Sequence, residues 1–302
     1  MSRHKKLKFI IPVVVILFFG AYGRHREVAR QSNITGRLPL KAMDEISGIA
    51  ASGINEGLYY VHNDSGDTSR FFAIMPDGQA KATIYFKGDA KEHYGVNDCE
   101  DIAVGPGPVK GKSYVYLGDI GDNDAKYKYI TVYRMEEKKA WAKEGVVKAD
   151  AAPIHLKYPD GPKDAETLMV DPIEKLIYIV SKRQDSVTVY TTPLKYKRND
   201  TLVLTKRCKL FFPGLRLFKW ITAGDISKDG TQVLLKSYTK VYYWKRDGDE
   251  PIWKTMQKKP RILPYTQEKQ GEAIGFTPDG KGYYTTSEGV YSPIYYYSIP
   301  GK

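Results

Sequence analysis

Cysteine is scarce in this chain, with Cys99 and Cys208 the only two among 302 residues. No CxxC pair or Cys/His cluster occurs, which excludes the usual zinc sites and a small disulfide-framed scaffold. A single disulfide would be open to an exported chain. Cys99, however, falls at a strand mouth and Cys208 in "LTKRCKLFF", a peripheral strand of another unit, so two free thiols are expected. Also missing are a GxSxG elbow, a P-loop, GxGxxG after a strand and HExxH, so none of these catalytic frames applies. Asp and Glu are absent from the first 23 residues, which carry Arg3, Lys5, Lys6 and Lys8. The apolar run that follows, "FIIPVVVILFFGA", has 13 residues, short of the roughly 20 that span a bilayer as a helix. A basic segment followed by a short apolar one reads as an export signal, with Ala21-Tyr22-Gly23 offering cleavage positions, or as an uncleaved anchor. No cysteine follows it, which excludes a lipoprotein anchor. Residues 1–23 are therefore read as signal peptide or signal anchor, 24–33 as linker and 34–302 as one extracytoplasmic domain.

Tyrosine is abundant, 24 residues in a chain that is 13% aromatic, and aromatic residues favour strands. The formal charge of +12 leaves +8 beyond the leader. These cations are scattered rather than clustered, so the expectation is a basic soluble face and no nucleic-acid partner. An anionic small molecule or a glycan suits such a surface. Contact with a membrane is expected only through the N-terminal segment, and a monomer is expected.

Laid beneath one another, short strand-like runs form five similar units. They begin at "EISGIAAS" (45–52), "CEDIAVGP" (99–106), "AETLMVDP" (165–172), "AGDISKDG" (223–230) and "GEAIGFTPDG" (271–280). Each continues through Gly, Pro or Asp turns into alternating aromatic and β-branched strands. Glu100 to Glu166 spans 66 residues, and Glu166 to Glu272 spans 106, or 53 per unit. Blades of four strands take about 40 to 50 residues. The expected fold is an all-β propeller of five blades, with six as the alternative if the second unit hides more strands. "EEKKAWAKEGVVKADA" reads as an insert. Outer strands are supplied by "KATIYF", "APIHLKY", "TLVLTKRCKLFF" and "PRILPY". The fifth unit lacks one, and "ITGRLPLK" (34–41) is expected to complete it, so that an N-terminal strand closes the ring.

In a propeller the first residues of every inner strand surround one mouth of the central channel. Alignment on the apolar step gives a ring of Ser47, Glu100, Glu166, Gly224 and Glu272. Three carboxylates on one axis cannot all stay ionised unaided. A hard cation with oxygen ligands, Ca2+, would relieve them, with Ser47, Glu100, Glu166 and Glu272 as the metal-ligand candidates. Solvated carboxylates around a water-filled channel are the alternative. Glu45, Asp101 and Asp225 fall off the ring and are expected to cap turns or pair with Lys and Arg. Second-strand ends gather His62-Asn63-Asp64, Asp119 with "GDND", Ser181-Lys182-Arg183, Lys236-Ser237-Tyr238 and Ser287-Glu288 on one face. Of these, Asp64, Asp119, Glu288 and His62 are the catalytic candidates, as water-orienting acids and a loop histidine. His93 is a second loop histidine near the mouth.

"EISGIAAS…LYYVHNDSG", "CEDIAVG…YVYLGDIG" and "GEAIGF" resemble the calcium-activated nucleotidases (apyrases). Those are five-bladed propellers with one Ca2+ held on the axis by serines and glutamates of the inner strands. The "E-x-I-A" strand is similar also to the esterase-like phytase domain and to TolB-like propellers. The resemblance implies axial Ca2+ at Ser47, Glu100, Glu166 and Glu272. Gly224 departs from the pattern where the family offers a serine, with Thr222 as a substitute, and His62-Asn63 stands where the family places a paired acid. The functional expectation is an exported Ca2+-dependent hydrolase of phosphate or other esters. The alternatives are a non-catalytic propeller recognising glycan or protein, and a sugar or lactone enzyme with His62 or His93 near the axis.

Overall fold

A computed structural model describes residues 33–301. The leader and most of the linker, including His4 and His25, lie outside the described residues. Thr35–Lys302 forms one compact unit, built from five antiparallel blades.

Blade one comprises β2 (Ile46–Ala51), β3 (Tyr59–Asn63), β4 (Arg70–Ile74) and β5 (Ala80–Phe86). The second has β6 (Cys99–Pro106), β7 (Ser113–Asp119), β8 (Ile130–Glu136) and, beyond β9 (Gly145–Ala149), β10 (Ala151–Lys157). Blade three contains β11 (Ala165–Asp171), β12 (Leu176–Ser181), β13 (Ser186–Pro193) and β15 (Thr205–Phe211). Next come β16 (Ile221–Ile226), β17 (Gln232–Ser237), β18 (Val241–Lys245) and β19 (Arg261–Leu263). Blade five is β20 (Gly271–Phe276), β21 (Gly282–Ser287) and β22 (Pro293–Ser298), with β1 (Ile34–Arg37) as its outer strand. The inner strands pack in a closed circle, β2 on β6, β6 on β11, β11 on β16, β16 on β20 and β20 on β2. Five blades, not six, account for the sheets.

The insert after β8 forms a short 3-10 turn at Lys139–Ala142 and β9 (Gly145–Ala149). This strand pairs in parallel with β5, so it widens blade one instead of founding a blade. "TLVLTKRCKLFF" splits in two. Its first residues, β14 (Thr201–Val203), pair in parallel with β10 of blade two, and only β15 edges blade three. Both cysteines are free, Cys99 buried and Cys208 half-buried.

The tyrosines fill the layers between blades. Tyr60, Phe71 and Trp141 of one blade and its insert meet Ile102, Leu117 and Tyr133 of the next, and Tyr116, Val132 and Ile154 meet Leu168, Ile177 and Tyr190. Several of the buried rings take their hydroxyls to a partner, as burial favours. Tyr60 donates to Glu137 Oε1 (2.9 Å), Tyr116 to the Pro106 carbonyl (2.6 Å) and Tyr190 to Asp160 Oδ1 (2.8 Å). The Asp-Gly turns suit tight hairpins because Gly230 and Gly280 adopt φ of 73° and 65°, backbone that costs a Cβ-bearing residue more.

Candidate metal centre and catalytic mouth

Every inner strand carries a β-bulge near its start. Pairing with the second strand skips one residue each time, between Ile46 and Gly48, Cys99 and Asp101, Ala165 and Thr167, Ile221 and Ala223, and Gly271 and Ala273. The skipped residues are Ser47, Glu100, Glu166, Thr222 and Glu272, and all are buried. A bulge re-aims one side chain without disturbing the alternation beyond it. The fourth ring position is therefore Thr222, and the sequence alignment on Gly224 is off by two. Gly224 stands level with Ile49 and Ile102, where a Cβ would press on Leu235 and Thr167.

The two short ring members tie blades together. Ser47 Oγ donates to the Glu100 carbonyl (2.8 Å), and Thr222 Oγ1 to the Gly271 carbonyl (3.4 Å). The three glutamates instead meet other acids. Carboxylate oxygens lie within 4.8 Å of one another in three overlapping groups, Asp64–Asp98–Glu100, Asp64–Glu272–Glu288 and Glu100–Asp164–Glu166. Asp64 and Glu288 come from the residue after the second strand, Asp98 and Asp164 from two residues before the bulge. Two cations answer this ring, Lys182 on Glu166 Oε1 and Arg183 on Asp164 Oδ2. Tyr238 donates to Glu272 Oε1 (2.6 Å), and Gln270 to Glu288 Oε2 (2.6 Å).

Burial and mutual repulsion hold Asp64, Asp98, Glu100, Glu166 and Glu288 toward their neutral forms. The Asp64 carboxyl is pushed up to about 9, Glu166 to about 8 and Glu288 to about 7, each chiefly by burial. Glu100 is driven well above the ordinary carboxylate range by burial and then by Glu166. Two observations bear on whether a cation fits. Glu166 Oε2 is buried without a hydrogen-bond partner, and a Cβ on Gly121 would collide with Glu100 Oε1 and Asp98 Oδ2. The donor set is all oxygen, as a hard cation requires, and Gly121 leaves room beside it.

The other candidates are placed differently. Asp119 accepts from the backbone N–H of Asp98 (2.8 Å) and Asn97 (3.2 Å), so its carboxylate holds the segment that carries Asp98 and does not join the cluster. His62 lies within β3, not on a loop. Its Nδ1 is 2.8 Å from the Asn63 carbonyl, its Nε2 has no partner, and burial pulls it down to about 4. His93 is exposed against Tyr94, with ring centroids 4.4 Å apart. Neither Asp101 nor Asp225 caps a turn or pairs with a cation. Fully buried Asp101 accepts from the N–H of Ile102 (2.9 Å), Leu168 (2.9 Å) and Gly224 (3.4 Å), pinning three inner strands. Asp225 accepts from Phe276 N–H (2.8 Å). Sequence reading missed Asp98 and Asp164, although acid-x-Glu recurs as Asp98-Cys99-Glu100 and Asp164-Ala165-Glu166 and carries that signal.

No family model matches the chain, and no curated protein does. Among solved structures, the chain is similar to a putative 6-phosphogluconolactonase from Bacteroides uniformis, with 12% identity over 85% of this chain and 68% of that one and a TM-score of 0.42. It is similar also to a luciferin-regenerating enzyme, with 11% identity over 88% and 96% and a TM-score of 0.46. A chain of the nidogen–laminin complex shares 12% over 81% and 73%, with a TM-score of 0.43.

Proposed function

We infer that the protein is an exported calcium-binding propeller that hydrolyses phosphate or other esters at the acidic mouth. The observation that carries this reading is the gathering of seven carboxylates in three overlapping groups, one of which holds Glu166 with its buried, unpartnered Oε2. Glu100, Glu166, Asp64 and Asp98 would hold the ion, with Glu272 beside them. A bound Ca2+ would neutralise the ring and draw an anionic ester oxygen to it. The resemblance to calcium-activated nucleotidases supports the same assignment, with Thr222 rather than Gly224 as the family's serine equivalent.

The chain's own residues supply the remaining chemistry. Glu288 is half-buried and poised at about 7, near the operating pH that suits a general base. Gln270 fixes its orientation. Lys182 and Arg183, ion-paired with Glu166 and Asp164, offset part of the negative charge beside the site. Asp119 positions Asp98, and His62 stays neutral beneath β2.

The test is turnover of nucleotides, phosphomonoesters and aryl esters by chelator-stripped full-length protein with Ca2+ restored. Ca2+-dependent hydrolysis that Glu288→Gln lowers at least about a hundredfold is the expected result. Tight Ca2+ binding without turnover of any of the three classes would leave only the scaffold reading.

A further inference from the structure

The segment from Thr201 to Gly224 contains no Asp or Glu but five cations, Lys206, Arg207, Lys209, Arg216 and Lys219. It leaves β15, forms one helical turn, α1 (Arg216–Lys219), and enters β16 on the face of the disc that carries the acidic mouth. Four large apolar side chains stand out from it, Phe211 at 67% exposure, Leu215 at 74%, Leu217 at 61% and Phe218 at 49%. Clustered exposure of this kind is costly in water and marks a contact surface. The Lys219 ammonium lies 4.9 Å from the Phe211 ring, which makes the strand end and the helical turn one patch.

The backbone beneath is anchored. Leu210 and Phe212 point inward, Phe212 packs on Tyr242 with centroids 4.4 Å apart, and the Phe218 carbonyl accepts from Thr239 Oγ1 (3.2 Å). Nearby carboxylates answer only part of the charge, Asp160 on Lys206 (2.7 Å) and Asp185 beside Lys219 (3.9 Å). Arg207 is tied to Thr191 Oγ1 (2.8 Å). Lys209 and Arg216 are exposed.

We propose that Phe211–Lys219 is a membrane-docking tip that seats Leu215, Leu217, Phe218 and Phe211 in the interface of an anionic bilayer, with Lys209 and Arg216 on lipid headgroups. Apolar side chains flanked by cations, in a stretch free of acid, match the acyl–headgroup boundary on both counts. This docking is separate from the N-terminal segment and from the metal. It would place the rim of the acidic mouth beside the lipid surface.

The experiment uses the full chain carrying a solvatochromic dye on Leu217→Cys in a Cys208→Ser background, with vesicles of phosphatidylcholine alone or mixed with phosphatidylglycerol. The dye should shift to the blue with the mixed vesicles only, and the shift should fade in high salt. Lys209→Glu with Arg216→Glu should weaken the apparent partitioning at least about tenfold. Replacing Leu215 and Phe218 by serine should do the same while thermal stability holds, since both are exposed. A dye that stays in water with either vesicle, even when the chain sediments with them through its N-terminal segment, would overturn the proposal. So would equal shifts with both vesicles, or a shift on concentrating the protein without lipid, which would assign the patch to a second copy of the chain.

Discussion

The two mouths of the central channel are made by opposite ends of the same five strands, yet they share almost no chemistry. At the starting ends the bulges turn Glu100, Glu166 and Glu272 inward among further acids. At the finishing ends, Ala50, Val104, Val170, Ile226 and Phe276 line a cavity of about 370 Å³ together with a few polar groups, among them Asp225 and Lys228. Regular pairing at that end keeps apolar residues on the channel. One skipped residue per strand is therefore enough to make one end ligand-like and the other core-like. The acidic end crowds more carboxyls together than Lys182 and Arg183 can pair, whereas the other end is locked by ordinary structural contacts.

Breaking such a lock should give the largest effect. Arg246 of blade four and Asp171 at the finishing end of β11 form a fully buried ion pair. Arg246→Met leaves Asp171 uncompensated and should cost about 3–5 kcal/mol in denaturant unfolding, with Ca2+ affinity unchanged. A shift in Ca2+ affinity would show that the two ends are coupled.

Next is Asp225, whose carboxyl burial pushes up to about 7. Between about 4 and 7 the folded protein keeps a proton that the unfolded chain releases. Its contribution is thus full at low pH and lost as pH rises through 7. Asp225→Asn should flatten the fall in stability over that window by on the order of 4 kcal/mol, measured as the difference between variant and parent unfolding curves.

Gly121→Ala tests the acidic end without removing a ligand. The added methyl displaces Glu100 and Asp98, and should cost about 1–2 kcal/mol while weakening Ca2+ at least about tenfold by calorimetry. The smallest and most diagnostic change is Asp64→Asn. Metal-free protein should gain about 1 kcal/mol because the burial and repulsion that push the Asp64 carboxyl up no longer apply, and Ca2+ binding should weaken. If the variant lost stability without metal, the acidic end would be no reservoir of repulsion and the contrast between the mouths would fail.

Much of this was legible in the sequence. Repeat spacing disclosed five blades, and the unpaired "ITGRLPLK" disclosed the closing strand because the fifth unit visibly lacked one. The ring was readable wherever an acid preceded an apolar step, at Glu100, Glu166 and Glu272. It failed at Thr222 because a hydroxyl residue in a bulge looks like any strand residue, while Gly224-Asp225-Ile226 imitates the motif two places later. The swap of β14 to blade two was also hidden. Parallel pairing between neighbouring blades leaves no turn signature in either strand. Asp101 and Asp225 were misread for a different reason. A carboxylate at a strand mouth suggests solvent and salt bridges, but here backbone N–H groups of neighbouring blades satisfy both.

The closing strand has a consequence for how the ring is assembled. Thr35 Oγ1 donates to the Ile294 carbonyl, 259 residues away in sequence, and β1 hydrogen-bonds to β22. Contacts so distant in sequence slow folding, and until they form, the outer edge of β22 is an open template for another chain. At high concentration the favoured error is then reciprocal exchange of β1 between two copies. Each ring of such a domain-swapped dimer would be closed by its neighbour's first strand, with both acidic mouths intact.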